Sequence, residues 1–60
     1  MPTIALAENH AVVRQGLRAL LETEPGFIVV GEASDGREAL HLVVRDKPNI
    51  LIADLMMPHL

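Results

Sequence analysis

Three short apolar runs, separated by two segments with helical periodicity, constrain the fold of this chain more than any other feature. The runs occupy residues 4–7, 27–30 and 50–53. Runs that are apolar at every position are typical of strands buried on both faces of a parallel sheet. Strands that alternate with helices predict a doubly wound α/β fold in the order β-α-β-α-β, with right-handed crossovers.

The two segments between the runs carry apolar residues at helical spacing. The first helix is predicted to begin at Asn9 or His10 and to end before the turn at residues 25–26. Its inward stripe is Val13, Leu17, Leu20 and Leu21. Gly16 lies within this helix, and we expect it to permit close packing against the sheet. The second helix follows Asp35, whose spacing to Glu38 is that of a capping box. Its predicted inward residues are Ala39, Leu40, Val43 and Val44.

Composition narrows the class of protein. A chain of 60 residues holds one small core and no second domain. Half of its residues are hydrophobic, which excludes a disordered chain. Its single aromatic residue and net charge of −3 argue against a nucleic-acid or anionic-membrane surface. The absence of cysteine excludes disulfides, thiolate metal sites and thiol catalysis.

The N-terminal residues contain no targeting signal. A basic region followed by an apolar run is missing, and no apolar stretch approaches the roughly 18 residues of a membrane span. We therefore expect a cytoplasmic protein that has no membrane partner.

Polar side chains follow the first and third apolar runs directly. Glu8 and Asn9 come after the first run, and Asp54 comes after the third. If the first strand is central, the strand order is 2-1-3, and these residues meet at the switch point where such sheets bind ligands. Oxygen donors of this kind suit Mg²⁺. His10 is expected to cap the helix or to line the crevice, and no metal site shared with His41 and His59 is expected.

At these residues the chain resembles a known family. Residues 6–17 (LAENHAVVRQGL), 30–40 (VGEASDGREAL) and 54–58 (DLMMP) resemble the receiver domain of two-component response regulators, in particular the NarL/FixJ class with a LuxR-type helix-turn-helix. The resemblance covers essentially the whole chain. It implies a flavodoxin-like (CheY-like) fold of five strands, of which residues 1–60 would supply the first three as the N-terminal part of a single receiver domain.

The resemblance also implies a phosphorylation switch. Asp54 matches the phosphoacceptor, which takes a phosphoryl group from a sensor histidine kinase. Glu8, Asn9, Asp54 and the backbone carbonyl of Met56 match the Mg²⁺ ligands. Asn9 stands where the family usually has a carboxylate, so we expect weaker Mg²⁺ binding.

The resemblance also implies a transcriptional function, which would reside in a domain outside these residues. Transcription would be controlled through a C-terminal DNA-binding domain that these residues lack. The receiver itself is not expected to be an enzyme, beyond catalysing its own phosphorylation and dephosphorylation in the full-length parent. The basic residues are expected on solvated helix faces, with kinase docking as the alternative for Arg14 and Arg18.

Another class of function remains open. Residues 50–53 have no charge, proline or bulge to protect a sheet edge. The alternative is thus an interaction fragment that cannot transfer phosphoryl groups and forms a homodimer through its open third strand. A flavodoxin-like nucleotide or cobalamin binder is disfavoured, because no Gly-rich loop follows the first strand.

Overall fold

A computed structural model describes residues 1–54, and its elements follow the predicted order. Strands β1 (Thr3–Ala7), β2 (Ile28–Ala33) and β3 (Ile50–Ala53) alternate with helices α1 (Ala11–Glu22) and α2 (Gly36–Asp46). The strands are parallel and lie in the order β2-β1-β3, which confirms the predicted sheet with its first strand at the centre. The first connection leads from β1 to β2 at one edge of the sheet, and the second leads back past β1 to β3 at the other edge. Because both crossovers are right-handed, they place the two helices on opposite faces of the sheet.

Strand β1 is the centre of the hydrophobic core. Ile4 is 4% exposed, and the three residues that follow it are each 1% exposed. Both edges of β1 are paired, since β2 lies on one side and β3 on the other. Small side chains at Ala7, Ala33 and Ala39 form one buried cluster, which brings α2 close to the sheet. The apolar run therefore fills the position that its composition predicts.

Strand β2 continues three residues beyond its predicted end at Val30. Ile4 pairs with Val29 and Ala5 pairs with Gly31, so Val30 is an extra residue in a bulge of the β1–β2 ladder. Gly31 pairs with Ala5 within the strand, and α2 packs closely against it. A Cβ atom at Gly31 would lie only 2.7 Å from Cδ1 of Leu42.

The predicted inward faces of both helices are only partly buried. No residue of α1 is buried, and Val13 and Leu20 are 48% and 68% exposed. In α2, Leu42 is buried, whereas Leu40 and Val44 are 62% and 66% exposed. The prediction was wrong at these positions because each helix packs mainly on β1 and β2, which cover less than the full width of its apolar stripe.

The ends of the helices follow from their sequences. The side chain of Asp35 accepts a hydrogen bond of 2.8 Å from the backbone N–H of Glu38, which confirms the predicted cap of α2. The Glu38 carboxylate in turn accepts hydrogen bonds from Ser34. His10 is the N-cap residue of α1, but its side chain makes no capping hydrogen bond. That side chain is therefore available for another interaction.

Two glycines provide a matched test of packing. The prediction that Gly16 permits close packing against the sheet is wrong. Among the described residues, a Cβ atom at Gly16 would have no neighbour within 4 Å. We expect Gly16→Ala to stabilise the fold by about 0.5–1 kcal/mol, since alanine favours a helix. Gly31→Ala should destabilise it by about 1–3 kcal/mol, because Leu42 must move. Urea unfolding measures both changes. Equal stability of Gly31→Ala and the wild type would contradict the described packing of α2.

Candidate functional site

The candidate site lies at the carboxyl ends of the two neighbouring strands β1 and β3. Glu8 directly follows β1, and Asp54 directly follows β3. The backbone N–H of Glu8 donates to the carbonyl of Ala33 at 3.0 Å, and that of Asp54 donates to the carbonyl of Ala7 at 3.2 Å. Both residues are therefore fixed by extensions of the sheet ladder, beyond the last paired residues of the strands.

Three potential ligand groups converge at this edge. One carboxylate oxygen each of Glu8 and Asp54 and one ring nitrogen of His10 lie within 4.8 Å of one another. Glu8 is buried, Asp54 is partly buried and His10 is exposed. A cation from solvent can therefore approach the cluster from the side of His10.

The predicted ligands divide into three groups. The structure brings Glu8 and Asp54 together, as their places in the sequence imply. Asn9 is exposed in the turn between Glu8 and His10. Met56 lies outside the described residues. The ligand roles of all four residues stay predictions.

The carboxylate of Glu8 is held in its ionised form. Its Oε1 accepts a hydrogen bond of 3.0 Å from the backbone N–H of His10 and lies 2.8 Å from Nδ1 of the His10 ring. These bonds, the backbone one foremost, lower the pKa of Glu8 against the opposing effect of burial. At neutral pH Glu8 is therefore an anionic side chain beneath the surface.

Two arginines of α1 take part in this region rather than lying in solvent as predicted. Arg14 donates from Nη1 to the backbone carbonyl of Glu8 at 2.8 Å and from Nε to the carboxylate of Glu32 at 3.1 Å. Arg18 donates to the same carboxylate at 2.7 Å. Arg14 thus joins the turn after β1 to the end of β2, which makes it a structural support for Glu8.

The remaining predicted surface residues agree with their assignments. Arg37, His41 and Arg45 are exposed on α2, and Arg45 pairs with the neighbouring Asp46. Within residues 1–54, His10 is the only histidine in a potential metal cluster. His59 lies outside the described residues. No helix in the described part of the chain is long and apolar enough to cross a membrane.

The fold and the paired carboxylates define a doubly wound α/β module with an acidic site at its switch point. Comparison with known proteins identifies the family. The response regulator receiver domain matches residues 4–60. The chain therefore belongs to the receiver domain family of response regulators.

The chain is also similar to several transcriptional regulators. It is 44% identical to the transcriptional regulatory protein LiaR of Bacillus subtilis over 57 residues, which are 95% of this chain and 27% of that protein. It is 46% identical to the oxygen regulatory protein NreC of Staphylococcus haemolyticus over 55 residues, or 92% and 25% of the two chains. The chain thus spans about a quarter of the length of these relatives. No solved structure gave a significant match.

The contact between Arg14 and the Glu8 carbonyl leads to a prediction. Arg14→Gln removes this bond and half of the pairing with Glu32, so we expect a loss of about 1–2 kcal/mol of stability. Arg37→Gln, at an exposed position of α2, should change stability by less than about 0.5 kcal/mol. Urea unfolding of the two variants makes the comparison. An Arg14→Gln variant as stable as Arg37→Gln would show that the bond does not support the turn.

Proposed function

We propose that this chain is the phosphoacceptor part of a response regulator receiver, in which Asp54 accepts a phosphoryl group from a sensor histidine kinase. The observation that carries the proposal is the meeting of the Glu8 and Asp54 side chains at the ends of β1 and β3, in a chain that belongs to the receiver family. Asp54 is partly buried at the rim of the sheet, where a donor can reach its carboxylate.

The proposed transfer is a single displacement at phosphorus. An oxygen of the Asp54 carboxylate forms a bond to phosphorus, and the bond between phosphorus and the imidazole nitrogen of the phosphohistidine breaks. Its electron pair stays on that nitrogen, which takes up a proton. The contribution of the chain is to hold the nucleophile in place, and the hydrogen bond from the Asp54 backbone to Ala7 serves this purpose.

The donor atoms of the site fit a hard divalent cation. Receiver domains bind Mg²⁺ through acidic residues, and the Glu8 and Asp54 side chains supply oxygen donors of this kind. The hydrogen bond from the His10 backbone N–H, which a side-chain substitution does not remove, helps to keep Glu8 anionic despite its burial. When bound, Mg²⁺ supplies positive charge that offsets the negative charge of the transferred group.

Asn9 and Met56 are proposed to complete the ligand set. Asn9 would offer its amide oxygen and Met56 its backbone carbonyl. With Asn9 in place of an acidic residue, the site has two carboxylates, Glu8 and Asp54, and is neutral overall with the divalent ion bound. We therefore propose a weaker Mg²⁺ affinity than a site with three carboxylates would have.

The output and location are proposed from the relatives. LiaR is named a transcriptional regulatory protein, so this receiver is proposed to control transcription in the cytoplasm through a DNA-binding domain of a longer parent. Its own chemistry would be limited to gaining and losing the phosphoryl group, without turnover of a separate substrate.

Phosphoramidate, whose P–N bond resembles that of phosphohistidine, tests the role of Asp54. In the presence of Mg²⁺, we expect intact-mass spectrometry of the protein to show one added phosphoryl group. Asp54→Asn should abolish the addition because it removes the nucleophile. Asp46→Asn is the matched control, since Asp46 pairs with Arg45 on α2, and it should be labelled like the wild type. Labelling that persists in Asp54→Asn refutes the assignment.

Within residues 1–54, β3 pairs with β1 alone, and this open edge favours a second candidate function, a self-associating interaction module. Ile50, Leu51 and Ile52 are 47%, 41% and 37% exposed. Two copies of the 60-residue chain would pair these edges about a two-fold axis and form a continuous six-stranded sheet. The candidate predicts a dimer in sedimentation at micromolar concentration, with Leu51→Lys shifting it towards monomer. A cooperative thermal melt of a wild-type monomer, followed by circular dichroism, would exclude it.

A further inference from the structure

We propose that His10 joins Glu8 and Asp54 as a ligand of a divalent transition-metal ion, such as Ni²⁺, Co²⁺ or Zn²⁺. This inference rests on the proposed function, because it uses the same two carboxylates. It goes beyond the proposed function in two respects: the site gains a nitrogen ligand, and it binds a second class of cation. The site would then bind ions that prefer imidazole, in addition to Mg²⁺.

The distances match those between ligands of one ion. Nδ1 of His10 lies 2.8 Å from Oε1 of Glu8. In an octahedral complex with bonds of about 2.1 Å, adjacent ligand atoms are about 3 Å apart and opposite ones about 4.2 Å apart. The ligand atoms of His10, Glu8 and Asp54 all lie within 4.8 Å of one another. The three atoms therefore lie close enough together for one cation to be proposed between them.

The position of the His10 ring is fixed by the local backbone. His10 is the N-cap residue of α1, and its backbone N–H donates to the same Glu8 oxygen that its ring contacts. Arg14 donates to the backbone carbonyl of Glu8 in the same turn. The ring and the carboxylate are therefore placed together before a cation binds. The His10 side chain is also 67% exposed, which leaves it open to ions from solvent.

The donor set determines which ions gain from His10. Imidazole is a favoured ligand of Ni²⁺, Co²⁺ and Zn²⁺, whereas Mg²⁺ prefers oxygen ligands and keeps several waters. Two carboxylates balance the charge of either kind of ion. A change at His10 should therefore alter the affinity for transition metals and leave that for Mg²⁺ almost unchanged.

Calorimetric titration of the tag-free protein with NiCl₂ and, separately, with MgCl₂ tests the proposal. We expect His10→Ala to weaken Ni²⁺ binding by about tenfold or more and to change Mg²⁺ binding by less than about twofold. His41→Ala is the matched control, because His41 is exposed on α2 and outside the cluster, and it should change neither affinity. His10→Gln, which keeps a polar side chain at the helix start, should weaken Ni²⁺ binding like His10→Ala.

The visible absorption of bound Co²⁺ gives a second readout that does not depend on phosphorylation. Its ligand-field bands should change in His10→Ala and stay the same in His41→Ala. Unchanged Ni²⁺ affinity and Co²⁺ spectra in both His10 variants would overturn the proposal, as would a loss of Ni²⁺ binding in His59→Ala alone.

The variant Asp54→Asn separates this inference from the proposed function. Weaker binding of both Ni²⁺ and Mg²⁺ in this variant would support one shared site. Failure of Asp54 phosphorylation together with His10-dependent Ni²⁺ binding would refute the proposed function alone. Normal phosphorylation of Asp54, together with a Ni²⁺ affinity that is unchanged in the His10 variants, would refute the metal proposal alone.

Discussion

The pairing of β1 along both of its edges is the constraint on which the rest of the structure depends. Because β2 and β3 flank β1 in parallel, all three strands end at the same side of the sheet. Full burial of side chains such as Ile4 and Leu6 contributes about 1.5–3 kcal/mol each. The same pairing extends past the strand ends through the backbone of Glu8 and Asp54. The element that stabilises the fold therefore also positions the two acidic side chains.

A buried carboxylate at this place needs electrostatic support. The turn after β1 supplies it, since His10 donates to the Glu8 side chain and Arg14 donates to the Glu8 carbonyl. Glu32 holds Arg14 and Arg18 from the end of β2, which links the support to the neighbouring strand. The result is an anionic side chain that stays charged beside the proposed phosphoacceptor. An acidic pair of this kind attracts cations.

The sequence predicts the strands and their order well, because short apolar runs alternate with helical segments and a polar residue directly follows the first and third runs. It misses the last residues of β2, since the apolar run ends at Val30 and the contacts of Gly31 with Leu42 and of Glu32 with the two arginines are not visible in the sequence. These contacts join residues far apart in the chain.

The carboxylates of the candidate site could be predicted from the sequence, whereas the position of His10 could not. Glu8 and Asp54 could be predicted to converge, because both directly follow strands that end at one side of the sheet. The approach of His10 depends on the conformation of the turn, which brings its backbone N–H and its ring to the same carboxylate oxygen. Residue type and spacing do not contain that information. The partly covered helix stripes have a similar cause, since the width of the sheet beneath a helix is a property of the assembled fold.

The coupling between Glu8 and Asp54 in Mg²⁺ binding tests the central claim most directly. A double-mutant cycle with Glu8→Gln, Asp54→Asn and the double variant, measured by calorimetry, gives this coupling. If both carboxylates hold one ion, each single substitution strongly weakens Mg²⁺ binding. The loss of binding free energy in the double variant is then much smaller than the sum of the two single losses. Losses that simply add, or a Glu8→Gln variant that binds Mg²⁺ like the wild type, would contradict a shared site at the ends of β1 and β3.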